Sequence, residues 1–159
     1  MLLVVNAGSS SVKVALFDGL DEVRRGQVAE IGTGGHRAAL EGLLAEGFGA
    51  GMTAAAHRVV HGGAALTGTM RVDAAVLAGI EACVTLAPLH NPANLAGIRA
   101  LISPAGWPVA GCFCAKAAGT GSIRRHSRTA RNRRRQPSAI MVINAPNRCQ
   151  RQIRKSCAR

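Results

Sequence analysis

The sequence predicts a mixed α/β lobe over residues 1–102, followed by a basic, irregular tail over 103–159. Three observations carry this. Two short apolar runs flank a Gly/Ser turn at residues 6–11, segments with helical and strand signals alternate up to Leu101, and the composition changes abruptly after it. The 159 residues give room for one core, and the 48% apolar content is enough to fill it.

The first unit is a hairpin. Leu2–Val5 and Val12–Phe17 are apolar and rich in β-branched residues, and Asn6-Ala7-Gly8-Ser9-Ser10 between them supplies turn chemistry. Glu22–Ile31 is expected as a third strand. His36–Glu46, with Leu40, Leu43 and Leu44, has helical spacing and ends at Gly47–Gly51. Ala54–Val60 reads as a further buried strand cut off by His61-Gly62-Gly63. Asp73 fits the N-cap of a helix with Val76, Leu77 and Ile80 on one face. Asn91-Pro92 fits a second N-cap with Pro in the first turn, leading into Leu95, Ile98 and Leu101.

The formal charge of +12 is confined to one end. Residues 1–101 hold seven bases and all eight acids, a net of −1; the remainder holds thirteen bases, eleven of them Arg, and no acid. No apolar run approaches the roughly 20 residues of a membrane span. The N-terminus lacks a basic stretch before its short apolar run, so a cytoplasmic setting is expected. Five cysteines without CxxC spacing give neither a disulfide framework nor a zinc site; Cys112 and Cys114 form only a C-x-C pair.

Asn6-Ala7-Gly8-Ser9-Ser10-Ser11-Val12-Lys13 is the sharpest chemical signal. A Gly/Ser turn presents N–H groups and hydroxyls, the donors a polyphosphate needs, and Lys13 adds positive charge. It is not a Walker A loop, because the element after it is β. On residues alone, a plain surface hairpin explains it as well. His57 and His61 have H-x-x-x-H spacing, but on a strand that spacing spans roughly 13 Å, too far to share one ion. For Asn91, helix capping is explanation enough.

Val4–Lys13 resembles the N-terminal signature of the acetokinase family. His57-Arg58-Val59-Val60-His61-Gly62-Gly63 and Leu86-Ala87-Pro88-Leu89-His90-Asn91-Pro92 are similar to two later family segments, in the right order. The resemblance implies the N-terminal lobe of the sugar kinase, heat-shock and actin (ribonuclease H-like) superfamily, here incomplete. It implies a phosphotransferase working with ATP and Mg²⁺, ATP + acetate giving ADP + acetyl phosphate. Asn6 would help hold Mg²⁺, Lys13 and the Ser9, Ser10 and Ser11 turn would contact ATP, and Arg58 would bind the carboxylate or the transferring phosphoryl group. A homodimer is also implied. A propionate kinase is the alternative within the same chemistry.

The family's later Asp, His, second Arg and Glu are not identifiable, so no catalytic residue is assigned and the chain by itself is expected to be inactive or nearly so. Position 114, about where the Asp belongs, is Cys, and no acid follows Glu81. Two readings of the tail compete. Out-of-frame sequence explains the loss of acids and of periodicity. The other is a non-specific nucleic-acid arm at Arg124–Arg135. The first is favoured, because Trp107 and Phe113 are the only aromatics past residue 48.

Overall fold

A computed structural model describes residues 1–102 and 107–113. Its centre is a six-stranded sheet: β1 (Leu2–Ala7), β2 (Val12–Asp18), β3 (Asp21–Val28), β4 (Ala54–Val59), β5 (Thr69–Arg71) and β6 (Val109–Phe113), in the order β3-β2-β1-β4-β6-β5. β1, β2 and β3 form an antiparallel meander, β4 and β6 continue in parallel from β1, and β5 closes the far edge antiparallel to β6. Three helices accompany it: α1 (His36–Leu43), α2 (Ala74–Ala82) and α3 (Asn91–Ile102).

Side chains alternate across the sheet with period two, so the two faces separate cleanly. Leu3, Val5 and Ala7 of β1, Val12, Val14 and Leu16 of β2, and Ala55 and Val59 of β4 join Leu40, Ile80, Ile98 and Leu101 of the helices in one buried cluster. The other face has a smaller cluster, Val4, Ala15, Phe17, Ala56 and Cys112, drawn from strands alone among the described residues.

Most elements stand where the sequence puts them. The hairpin, the third strand, β4 and all three helices are present, and Asp73 caps α2 by accepting from the Val76 amide at 2.8 Å. Three expectations are corrected. α1 ends at Leu43 and passes into a π-turn, Leu44–Phe48, in which Gly47 has φ 106°, a conformation side chains other than glycine's rarely adopt. Asn91 does not cap α3 with its side chain, whose partners lie on other elements. The sheet also runs past residue 102: β6 lies beyond that boundary, between β4 and β5. β5, only three residues long, carries no periodic signal.

The edge strand β3 is exposed along most of its length and carries charge, Arg25 pairing with Glu22 at 2.6 Å, which discourages pairing with other chains. No helix of the described residues is long and apolar enough to cross a membrane. Cys114, the Arg124–Arg135 run and nearly all of the predicted tail lie outside the described residues.

Candidate functional site

The strand register sets three of the expected residues side by side. Asn6 faces Lys13 across the β1–β2 pair. The parallel β1–β4 ladder runs from Leu2↔Ala54 to Val5↔His57, so the next residues, Asn6 and Arg58, are level with each other. The Arg58 Nη1 donates to Asn6 Oδ1 at 3.4 Å. The row continues as Arg58↔Cys112 and Cys112↔Thr69, with the Thr69 hydroxyl donating to Cys112 Sγ at 3.6 Å. Lys13, Asn6, Arg58, Cys112 and Thr69 thus form one line across five strands, on the face where the described residues place no helix.

This line lies near the C-terminal ends of the parallel strands β1 and β4, where α/β sheets bind ligands. The turn Gly8–Ser11 rises beside it. Gly8 N–H donates to Ser11 O at 2.7 Å, and Ser10 O accepts from Ile31 N at 2.9 Å, so two carbonyls are turned inward and satisfied. Ser9 and Ser10 are exposed, and their amides have no backbone acceptor among the described residues. A third support comes from α1. His36, buried at the start of that helix, donates from Nε2 to Gly8 O at 2.8 Å.

The segment after Arg58 is pinned from behind. His57 is fully buried, and its Nδ1 meets Arg58 O at 2.7 Å; a carbonyl only accepts, so the proton sits on Nδ1. Among the described residues its Nε2 has no hydrogen-bond partner, and it packs against Gly97 of α3, where any Cβ would collide with the ring. Burial pushes the His57 pKa down to about 4, outweighing the carbonyl's opposite pull, with the neighbouring Arg58 charge lowering it further. The imidazole is therefore neutral at pH 7. His61 is occupied separately, its Nδ1 accepting from Gly63 N at 3.0 Å.

Two buried asparagines of α3 complete the support. Asn94 donates from Nδ2 to Ala7 O at 2.9 Å and accepts at Oδ1 from Val60 N at 3.0 Å. Asn91 accepts from His61 N at 3.3 Å and donates to His61 O at 2.9 Å and Cys83 O at 3.1 Å. Neither amide, nor His36, was singled out from the sequence as a site support. The one available signal was two asparagines at i, i+3 in an otherwise apolar helix.

A cleft of about 370 Å³ lies beside the turn, between Ser9, Gly32–Gly34 and His36 on one side and Pro88, Leu89, Pro92, Ala93 and Ala96 on the other. Of the expected site residues only Ser9 lines it. The row and the cleft are separate features that meet at the turn.

For Mg²⁺ the donor set is thin. Asn6 Oδ1 is one neutral oxygen already facing a guanidinium, and no group of three or more His, Cys, Asp or Glu gathers among the described residues. Mg²⁺ requires several oxygens in octahedral array. These residues do not make a magnesium site by themselves.

Residues 45–105 match the model of the acetokinase family. The acetate kinase of Shewanella pealeana is 41% identical over an alignment of 129 positions covering 63% of this chain and 32% of that protein. The acetate kinase of Deinococcus deserti is 42% identical over 127 positions, with the same coverages. Among solved structures, the acetate kinase of Porphyromonas gingivalis superimposes with TM-score 0.63 at 31% identity, over 70% of this chain and 36% of that one. A propionate kinase from Francisella tularensis gives 0.56 at 30% identity, over the same shares. The chain spans about a third of the length of the curated relatives it matches, and over that portion it is similar to the acetokinase family.

Proposed function

We propose that this chain carries one side of a site for phosphoryl transfer between ATP and a short carboxylate, ATP + acetate giving ADP + acetyl phosphate. The observation that supports this most is the level row Lys13–Asn6–Arg58 beside the Ser9–Ser11 turn. Phosphoryl transfer rests mainly on positioning and charge neutralisation, and this row offers two cations at a fixed separation. In the proposal the Ser9 and Ser10 amides, the serine hydroxyls and Lys13 hold the phosphates. Arg58 presents its fork to the carboxylate or the transferring group, which paired donors suit. Asn6 steadies that fork from the neighbouring strand.

Mg²⁺ in this reading arrives with the nucleotide and is held chiefly by its phosphates. Asn6 supplies at most one oxygen, and no step is assigned to the ion. Among the described residues the row contains no acid or base suited to proton transfer, so this side of the site binds and neutralises and does little else. The chain alone is therefore expected to bind MgATP without turning it over. A propionate-type kinase would share every feature of this side, and the carboxylate preference and a homodimeric assembly belong to the same proposal.

Calorimetric titration of the full chain with MgATP tests the reading. Binding is expected to weaken about tenfold on Lys13→Ala or Arg58→Ala, the scale of one lost charge-assisted contact. The control Arg37→Ala, on the exposed face of α1 with Glu41 2.8 Å away, should bind unchanged. Equal affinity in all four chains, or acetate-dependent ADP release at ordinary kinase rates, contradicts it.

A further inference from the structure

The β1–β4 ladder ends at Val5↔His57, although β1 continues to Ala7 and β4 to Val59. The two strands part where Asn6 and Arg58 stand. Just beyond, the Asn94 side chain sits between them and makes one bond to each, Nδ2 to Ala7 O at 2.9 Å and Oδ1 from Val60 N at 3.0 Å. A primary amide offers the same donor and acceptor as a peptide group, so Asn94 replaces the missing rung with a wider one. Asn91, one turn earlier on the same face, fixes His61 by both its N–H and its carbonyl.

We infer that Asn94, supported by Asn91, is a positioning residue that sets the separation between the phosphate-facing turn and the Arg58 strand. The inference builds on the proposed phosphoryl-transfer site, since that is what the separation would serve. Ala7 is the residue before the Gly8–Ser11 turn, and Val60 lies two residues after Arg58. One fully buried amide therefore anchors both halves of the row from the far side of the sheet. Its anchor is firm, because α3 also packs Leu95, Ile98 and Leu101 into the core. Loss of the donor alone should free the turn from the Arg58 strand while Val60 stays bonded to α3.

Asn94→Asp isolates that donor. In its carboxylate form the substituted side chain still accepts from Val60 N–H but faces Ala7 O lone pair to lone pair. Burial raises the pKa of the introduced acid, and once protonated its O–H can donate to Ala7 O. At about pH 7.5 the variant should lose amide-exchange protection at Gly8, keep it at Val60, and bind MgATP about tenfold more weakly than the unaltered chain. At about pH 5 both differences should shrink to about threefold or less. A general fold defect from the buried charge would also lower protection at Val60 and through the core, and would not be confined to the turn.

Asn91→Asp, which loses the donor to His61 O and Cys83 O, serves where Asn94→Asp does not fold. It should weaken MgATP with the same pH signature while the His61 amide stays protected. A folded Asn94→Asp variant with unchanged protection at Gly8 overturns the inference. So does one whose losses ignore pH. If the unaltered chain binds no MgATP, the phosphoryl-transfer reading fails, and the exchange data still decide whether the amide holds the two strands.

Discussion

The two faces of the sheet are made from the same strands and serve different ends. On the helix-covered face, Leu3, Val5, Val12 and Val14 meet Leu40, Ile80, Ile98 and Leu101, all at most 1% exposed, and the only buried polar side chains among the described residues are His36, His57, Asn91 and Asn94. On the other face a short apolar patch gives way, toward the ends of β1 and β4, to Lys13, Asn6 and Arg58. The folding face thus reaches through the sheet by a few buried hydrogen bonds to fix the backbone that displays the polar row. The polar row itself contributes little to the core, so stability and binding should respond to different substitutions.

That separation can be broken most sharply by damaging the core. Ile98→Ala removes a fully buried side chain packed in the main cluster and should cost about 2–5 kcal/mol in urea unfolding. Gly97→Ala should cost about 1–3 kcal/mol, because the added methyl meets the His57 ring and the helix must shift. A Gly97→Ala chain as stable as the original would mean that α3 does not press on β4.

His57 makes the folding face sensitive to acid. Its folded pKa is lowered to about 4, so the unfolded chain takes up a proton more readily than the folded one below the ordinary histidine pKa. Full stability from this group is present above about pH 6.5 and is lost as pH falls toward about 4, a decline of about 3 kcal/mol. His57→Gln, which does not titrate, should flatten that part of the curve of unfolding free energy against pH. A smaller effect sharpens the comparison from outside both faces. Asp73→Ala removes the α2 cap, which touches neither Lys13, Asn6 nor Arg58, and should lower stability by about 1 kcal/mol while leaving MgATP affinity unchanged.

Local chemistry made much of this legible. The hairpin, β4 and the helices follow from apolar runs, turn residues and one acidic cap, because each is decided by neighbours in sequence. Asn6, Lys13 and Arg58 were named from motifs, yet the alignment of Asn6 with Arg58 is a matter of register between strands 52 residues apart. β5 was too short to signal. β6, Val-Ala-Gly-Cys-Phe, is set by pairing with β4 and β5 and has no alternation of its own. Asn91 shows the limit most clearly. A Pro-preceding asparagine at a helix start reads as a cap, but its buried amide instead bonds both backbone groups of His61 and gives Cys83 O a second donor beside Leu86 N–H. His36 and Asn94 were unreadable for the same reason, since their partners, Gly8, Ala7 and Val60, are distant in sequence.

The central claim is that phosphate-bearing ligands meet the sheet face opposite α1–α3 at the row and the turn. Amide chemical-shift mapping of the full chain during titration with MgATP tests it most directly. The account predicts the largest shifts at Asn6, Ser9, Ser10, Ser11, Lys13 and Arg58, with the exposed faces of α1 and α2 unmoved. Shifts concentrated instead at Gly32–Gly34 and Ala93–Ala96 would place the ligand in the cleft and contradict it.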